Sequence, residues 1–187
     1  MSRIFLSLVI AQYLCAGFAF YRGLSLRGLN LLDPTDTAAQ SAISFHLNFG
    51  LFVIVICFFC HAVLLTYFMG TGRWLEETCT AYDMGGEFRK NNMQLKWRAY
   101  PAMTVCFVLL LGVMITGVSA DPGSKIDFTG WGGMSAARIH LTTVIVTMSI
   151  NLAVNIWEYL AIRRNGELVK SVMAKVREMR LARGLEV

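Results

Sequence analysis

The sequence predicts an all-α integral membrane protein built as a four-helix bundle, and three observations support this class. The 187-residue chain is 56% hydrophobic and only 16% charged, with a mean hydropathy of +0.54, which is too apolar for an ordinary soluble domain. Four segments have the roughly 20 predominantly apolar residues that a membrane-crossing helix needs. The segments between them are short and contain no soluble domain of their own.

The four apolar segments define a transmembrane domain over residues 1–162. The spanning helices are predicted at about residues 4–21, 43–69, 99–120 and 136–162. The first segment follows Arg3, and its stretch "GFAF", residues 17–20, offers a small-residue cleavage site, as a signal peptide would have. We expect it to be retained as a helix rather than removed.

The distribution of Lys and Arg predicts the orientation of the helices. The N-terminus, the segment 70–98 and the C-terminal tail together carry 13 of the 17 basic residues. Because cytoplasmic loops carry the excess of basic residues, we expect a multi-pass protein of the cell inner membrane with both termini in the cytoplasm. The basic residues of the opposite side are Arg22, Arg27, Lys125 and Arg138.

Two further helices are predicted on the cytoplasmic side. The stretch "RWLEETCTAY", residues 73–82, has apolar side chains on one face, which predicts a short helix on the membrane surface. Asn165 and Gly166 predict a break after the fourth span. The basic tail at 163–187 is then predicted to form an amphipathic helix that contacts lipid or a partner subunit. Its position beside a spanning helix argues against nucleic acid as a partner.

The stretch "CFFCH", from Cys57 to His61, matches the C-x-x-C-H attachment signature of a c-type haem. Covalent attachment needs thiols exposed on the outer side of the membrane, whereas Cys57 and Cys60 lie in an unbroken apolar helix past its midpoint. A redox pair of cysteines is disfavoured because the other cysteines provide no partner set near the outer surface. We therefore interpret both cysteines as small apolar packing residues.

The chain has three histidines, and all of them lie in predicted spans. Ionisable residues within spans are costly and usually face the protein interior. His46 and His140 each lie about one helical turn from the outer surface, whereas His61 follows His46 by 15 residues and is about 22 Å deeper. His46 and His140 are thus expected at the same depth. Because paired histidines on two spanning helices hold a b-type haem, we predict haem b with its iron between these two rings.

A flat macrocycle also needs room and neutralisation of its charges. Three glycines are predicted in the outer half of the bundle, where small residues would open a slot, although close helix packing is their alternative role. Arginines just outside this level would pair with the haem propionates. The predicted site therefore comprises, besides the two histidines, Gly17, Gly50, Gly117, Arg22 and Arg138.

The fourth span carries a polar stripe, with polar side chains at steps of three or four residues. Hydrogen bonding between helices is one explanation of such a stripe. A proton or quinone route is the other, because a histidine and a carboxylate lie together in the inner half of the bundle. The residues of this predicted route are His61, Asn151, Asn155 and Glu158.

With His46 and His140 on two of four spans, the chain resembles the cytochrome b anchors of membrane oxidoreductases such as succinate and formate dehydrogenases. The resemblance implies a subunit that carries haem and exchanges electrons with the quinone pool. Anchors with two haems need four ligands, so three histidines allow at most one bis-histidine haem.

The sequence favours an electron-transfer subunit of a respiratory or other redox complex. The alternative is a noncatalytic accessory subunit of a larger membrane complex. A small transporter built around the polar stripe is a third hypothesis, but no inverted repeat or broken helix supports it. The chain has no nucleotide-binding glycine loop and no nucleophile beside a base, so any enzymatic activity is expected to need other subunits.

Overall fold

The computed structural model describes residues 1–29, 31–33 and 35–185. Helices make up nearly all of the described chain, and each of the four α-helices is long and apolar enough to span a membrane, as predicted. Their bounds are Ser2–Ser25 for α1, Thr37–Ala81 for α2, Glu87–Ala120 for α3 and Ala136–Ala182 for α4.

Helices α2 and α4 are longer than a membrane is thick. They contain 45 and 47 residues, which corresponds to about 70 Å of helix against a hydrocarbon core of about 30 Å. Both helices extend at the end of the bundle that also carries the chain termini, which we call the terminal end. The opposite end carries His46 and His140, and we call it the histidine end. Helix α3 packs on both α2 and α4.

Local residue choices determine where α2 begins and ends. The Asp36 carboxylate accepts a hydrogen bond of 2.9 Å from the backbone N–H of Ala39, which caps the first turn. At the other end, Asp83 has a φ of 50°, and Gly85 and Gly86 follow it before α3 begins. The chain therefore turns directly from α2 into α3 at the terminal end.

A small β-hairpin precedes α4 at the histidine end. Strands β1, Gly130–Trp131, and β2, Met134–Ser135, pair antiparallel. Gly132 and Gly133 connect them with φ values of 59° and 78°, the positive pair that a type I′ turn requires. The loop between α3 and α4 is thus partly ordered by its own glycines.

The structure corrects two predictions about the terminal end. The stretch 73–82 is not a separate surface helix but belongs to α2 up to Ala81. Gly70 and Gly72 do not interrupt α2, since a glycine costs only about 1 kcal/mol relative to alanine inside a helix. Likewise, α4 continues through Asn165 and Gly166 without a break.

Asn165 continues the helix because its side chain is buried in a polar contact between three helices. Its Oδ1 accepts a hydrogen bond from Nδ2 of Asn92 in α3 at 2.7 Å, and its Nδ2 donates to Oγ1 of Thr71 in α2 at 2.9 Å. These hydrogen bonds connect α4 to α2 and α3. Without them, an Asn-Gly pair favours the end of a helix. The predicted tail is therefore an extension of α4, and its last two positions, 186 and 187, lie outside the described residues.

Two apolar clusters fill most of the bundle interior. One surrounds Phe5 and Phe68 and draws on all four helices. The other contains Val53, Cys57 and Leu110 on α2 and α3, nearer the histidine end. Cys57 is a free, fully buried thiol in this second cluster. The bundle also contains a cavity at the histidine end and a cluster of buried polar side chains.

Candidate functional site

A cavity of about 320 Å³ opens at the histidine end, and residues from all four helices line it. Most of its lining is aliphatic. Volumes of this size with a few polar groups are typical of small-molecule sites. His46 of α2 and His140 of α4 are the two imidazoles in the lining, which also includes Gly23, Gly50, Gly117, Arg27 and Asp121.

The rings of His46 and His140 face each other across the bundle. Their centres are 6.5 Å apart and their planes are inclined by 78°. Each ring packs against a glycine of the preceding helix, because a Cβ atom on Gly23 would lie 2.8 Å from Cε1 of His46, and one on Gly117 would lie 3.1 Å from Cε1 of His140. In both pairs the glycine precedes the histidine by 23 residues. The hairpins α1–α2 and α3–α4 thus present their histidines in equivalent ways.

His140 has a hydrogen-bond partner at Nδ1. The Oγ1 hydroxyl of Thr116 lies 2.9 Å from the carbonyl of Gly112 and 3.1 Å from Nδ1 of His140, and the direction of the second hydrogen bond depends on the tautomer of the ring. With the proton on Nδ1, Nε2 keeps a lone pair. Nδ1 of His46 is buried and has no hydrogen-bond partner among the described residues.

The predicted glycines do not all lie at this cavity. Gly50 and Gly117 line it, whereas Gly17 is exposed on α1 and lies outside the lining. Gly23, which the sequence reasoning missed, provides the close contact on α1. The equal spacing of Gly23 to His46 and of Gly117 to His140 is a signal in the sequence that would have identified it.

The basic residues near the cavity differ in whether they line it. Arg27 lines the cavity, together with the acidic Asp121. The guanidinium carbon of Arg22 lies 5.2 Å from the centre of the Phe45 ring, a cation–π contact on the adjoining surface. Arg138 is exposed and does not line the cavity. Of these three arginines, Arg27 therefore has the most suitable position for the predicted pairing with haem propionates.

The residues of the predicted route meet deeper in the bundle in a cluster that we call the buried polar centre, defined by Tyr13, His61, Asn151, Asn155 and Glu158. Nδ1 of His61 lies 2.7 Å from Oε1 of Glu158, and Nε2 lies 3.0 Å from Oδ1 of Asn151. Nδ2 of Asn151 donates to the Tyr13 hydroxyl at 3.0 Å. His61, Asn151 and Glu158 are each 0% exposed. The polar stripe of α4 therefore faces the protein interior.

Helix α1 supplies polar groups that the sequence reasoning missed. The Tyr13 hydroxyl donates to the backbone carbonyl of Met148 at 3.1 Å. The neighbouring Gln12 is fully buried, and both of its amide atoms lack hydrogen-bond partners in the described part of the chain. A glutamine in the middle of an apolar span was the available signal, since polar residues within spans usually face protein.

No protein-family model matches the chain, and neither the curated proteins nor the solved structures include one with significant similarity to it. The functional assignment therefore depends on the chemistry of the histidine cavity and of the buried polar centre. Among the described residues, no group of three or more His, Cys, Asp or Glu side chains has a geometry that could hold a metal ion.

Proposed function

We propose that this chain is the haem-carrying subunit of a membrane redox complex, in which His46 and His140 would hold one haem b through its iron. In this proposal, electrons pass between a redox centre of a partner subunit and the quinone pool. The observation that carries it is the pair of facing imidazole rings, 6.5 Å apart, in the wall of an apolar cavity of about 320 Å³.

The separation of the rings fits two ligands of one iron. An imidazole nitrogen binds a metal at about 2 Å and lies about 1 Å from the centre of its own ring. Two imidazoles that held one iron would thus have ring centres about 6 Å apart. The ring centres of His46 and His140, 6.5 Å apart, are close to this separation.

The donor set fits a haem better than a bare metal ion. Two histidines alone leave most coordination positions unfilled, and no third protein ligand is grouped with them in the described residues. A porphyrin provides four nitrogen ligands of its own, so that two imidazoles complete the coordination, and when bound it supplies one-electron chemistry at the iron. In the tautomer of His140 that donates from Nδ1 to Thr116, Nε2 carries the lone pair that binds a metal.

The surroundings of the two rings also support this proposal. Gly23 and Gly117 allow the rings to lie close to the helix backbones, and Gly50 leaves open space on the cavity wall. Most of the cavity lining is aliphatic. The Arg27 guanidinium borders it and would pair with a propionate.

The proposed orientation in the membrane follows from the distribution of the basic residues. With both termini in the cytoplasm of a cell with an inner membrane, the histidine end lies near the outer face. The extensions of α2, α3 and α4 at the terminal end then project into the cytoplasm and offer a docking surface for another subunit. These extensions also keep the alternative open, a noncatalytic accessory subunit, because Trp97, which is 70% exposed, is a large side chain available to a partner or to lipid headgroups.

The proposal is tested by the reduced-minus-oxidised visible spectrum and the haem content of the purified protein, expressed with adequate haem supply. We expect a b-type band in the wild-type protein and its loss in His46→Ala and His140→Ala. His61→Gln is the matched control, since it removes a spanning histidine outside the cavity and is expected to retain the band. A wild-type protein without haem would contradict the proposal and favour the accessory subunit.

A further inference from the structure

The buried polar centre lies directly beneath the histidine cavity. Met148 connects the two, because its side chain lines the cavity and its carbonyl accepts the hydrogen bond from Tyr13. The centre is shielded from solvent, with His61 and Glu158 both 0% exposed. A buried histidine and carboxylate in hydrogen-bond contact are costly in a membrane protein and commonly mark a proton or ion pathway.

The hydrogen bonds determine how many protons the centre holds. Tyr13 donates its only hydroxyl proton to the Met148 carbonyl, so its oxygen accepts from the Asn151 amide group. Oδ1 of Asn151 therefore faces His61 as an acceptor, and Nε2 of His61 must carry a proton. Between Nδ1 of His61 and Oε1 of Glu158, 2.7 Å apart, one proton is shared. The pair is then electrically neutral, as burial requires.

The same centre has unused capacity for one more proton. Oε2 of Glu158 is buried and has no hydrogen-bond partner among the described residues. The amide groups of Asn155 and Gln12 and the hydroxyl of Thr147 are also buried without partners within the described chain. Buried polar groups are normally satisfied. Of these, Asn155 lies three residues before Glu158, one turn along the same helix, so its amide group can hydrogen-bond a protonated carboxyl.

We infer that His61 and Glu158 form an internal proton-binding site whose affinity for one further proton, on Oε2 of Glu158, rises when the haem site between His46 and His140 gains an electron. The inference rests on the proposed function for its electron. The proton comes from water and the electron from the redox donor, and the proton offsets part of the added negative charge. The ligand is the proton rather than a quinone because the centre is fully enclosed.

Few other titratable groups face this pair. They are Tyr13 on α1, Cys57 and Cys60 on α2 and Cys106 on α3, and among the described residues the groups that interact with Glu158 include no lysine or arginine. A phenol and thiols carry no permanent charge. The pair therefore responds mainly to the charge of the cavity above it.

The expected coupling between the charge at the haem site and proton binding by His61 and Glu158 is modest. His140 and Asn151 are 11 residues apart and His46 and His61 are 15 apart, so the centre lies about 16 to 22 Å from the two ligands along the bundle. At an effective dielectric constant of about 20, one charge at about 20 Å changes the binding equilibrium of another about fourfold. A fourfold change corresponds to about 36 mV for a one-electron couple.

The proton site itself is tested without haem by infrared spectroscopy over a pH series. We expect a carboxylic-acid C=O band that changes with pH in the wild-type protein and in Glu167→Gln, a control that removes an exposed carboxylate of the same helix. The other eleven Asp and Glu side chains also titrate, so the contribution of the pair is obtained as the difference between the wild-type series and that of Glu158→Gln or His61→Gln, in both of which it is expected to be lost. A wild-type series that coincides with that of Glu158→Gln would overturn the site.

The coupling is tested by redox titration of the haem band at several pH values. We expect the wild-type midpoint potential to fall by about 36 mV in total as the pH rises, and the potential of Glu158→Gln to stay constant while its haem band is retained. A haem-containing wild-type protein with a pH-independent potential would overturn the coupling and leave the proposed function standing. If the wild-type protein has no haem, the proposed function fails, and the infrared series alone decides whether the pair binds the proton.

Discussion

The ring of His46 lies so close to Gly23 that a Cβ atom at that glycine would be 2.8 Å from Cε1 of the imidazole. We expect Gly23→Ala to displace the ring and to lower haem content strongly, and Gly117→Ala, whose Cβ would be 3.1 Å from His140, to lower it less. Haem per protein in the purified variants measures both effects.

The matched control variants are Gly17→Ala on α1 and Gly112→Ala on α3. Neither added Cβ would meet an atom within 4 Å, and each replacement favours the helix by about 1 kcal/mol. Both controls are expected to keep full haem content. Equal haem loss in all four variants would show that the glycines act through the helix backbone rather than through the histidine rings.

The sequence predicted that His46 and His140 lie level with each other, and their ring centres are 6.5 Å apart, but it did not predict the glycines that contact them. Depth follows from counting, because a helix rises about 1.5 Å per residue whatever surrounds it. Which face of α1 meets His46 depends on how far each helix is rotated about its axis, and the packing of all four helices decides that rotation. Gly17 and Gly23 are both small residues on α1, yet only Gly23 touches the ring.

At the terminal end and in the buried polar centre, too, some features follow from the local sequence and others are decided by the packing of the helices. Asn165 and Gly166 have the local preference for a helix end, but the buried hydrogen bonds of Asn165 override it. The stripe on α4 was visible from its periodicity alone. Its partner Tyr13 was not, because a tyrosine in a span is equally compatible with the membrane interface.

The contact between His61 and Glu158 predicts a strongly nonadditive response of stability. Removing one member by His61→Ala or Glu158→Ala leaves the other buried without its partner, which typically costs about 3–5 kcal/mol. The apolar double variant His61→Leu with Glu158→Met is expected to be closer to the wild-type protein than either single variant. Thermal unfolding in detergent gives the four values of this cycle.

The exposed pair of Arg73 and Glu77 serves as the control for that cycle. Their contact of 2.9 Å is on the surface, and surface ion pairs contribute little because water and salt screen them. Replacing either residue by alanine is expected to leave the unfolding temperature nearly unchanged. Additive losses at His61 and Glu158 would argue that the two side chains are not coupled in the folded protein.

The continuity of α4 through Asn165 and Gly166 predicts opposite effects of two neighbouring substitutions. Gly166→Ala is expected to stabilise the protein by up to about 1 kcal/mol, because the glycine lies inside a helix and its added Cβ would meet only the Tyr67 hydroxyl, at 3.9 Å. Asn165→Ala is expected to destabilise it by about 1–3 kcal/mol, because Asn92 loses a buried partner. A destabilising Gly166→Ala would contradict a continuous helix.

A pH effect is expected at the loop between α1 and α2. The Asp33 carboxylate accepts hydrogen bonds from Oγ1 and the backbone N–H of Thr35 at 2.7 and 2.8 Å, and the side-chain bond is the larger cause of its lowered pKa. A lowered carboxyl pKa gives stability that is present above the unfolded pKa and is lost as the pH falls through the folded pKa. The turn should therefore stay formed near pH 7 and loosen only below about pH 4. Titration of the Asp33 carboxyl carbon by NMR measures this, and Thr35→Val should raise the midpoint.

Substitutions of Gly50 test whether the haem occupies the cavity. A Cβ atom at this position would meet no atom within 4 Å, and the residue lines the cavity beside His46. Gly50→Phe is therefore expected to fill the space a haem would occupy without displacing the packed helices, so that the protein stays folded and loses its haem band. Gly50→Ala adds a single methyl group and should keep most of the haem. Circular dichroism and thermal unfolding check the fold, and the visible spectrum checks the haem. A folded Gly50→Phe protein with a full haem band would locate the haem elsewhere than between His46 and His140.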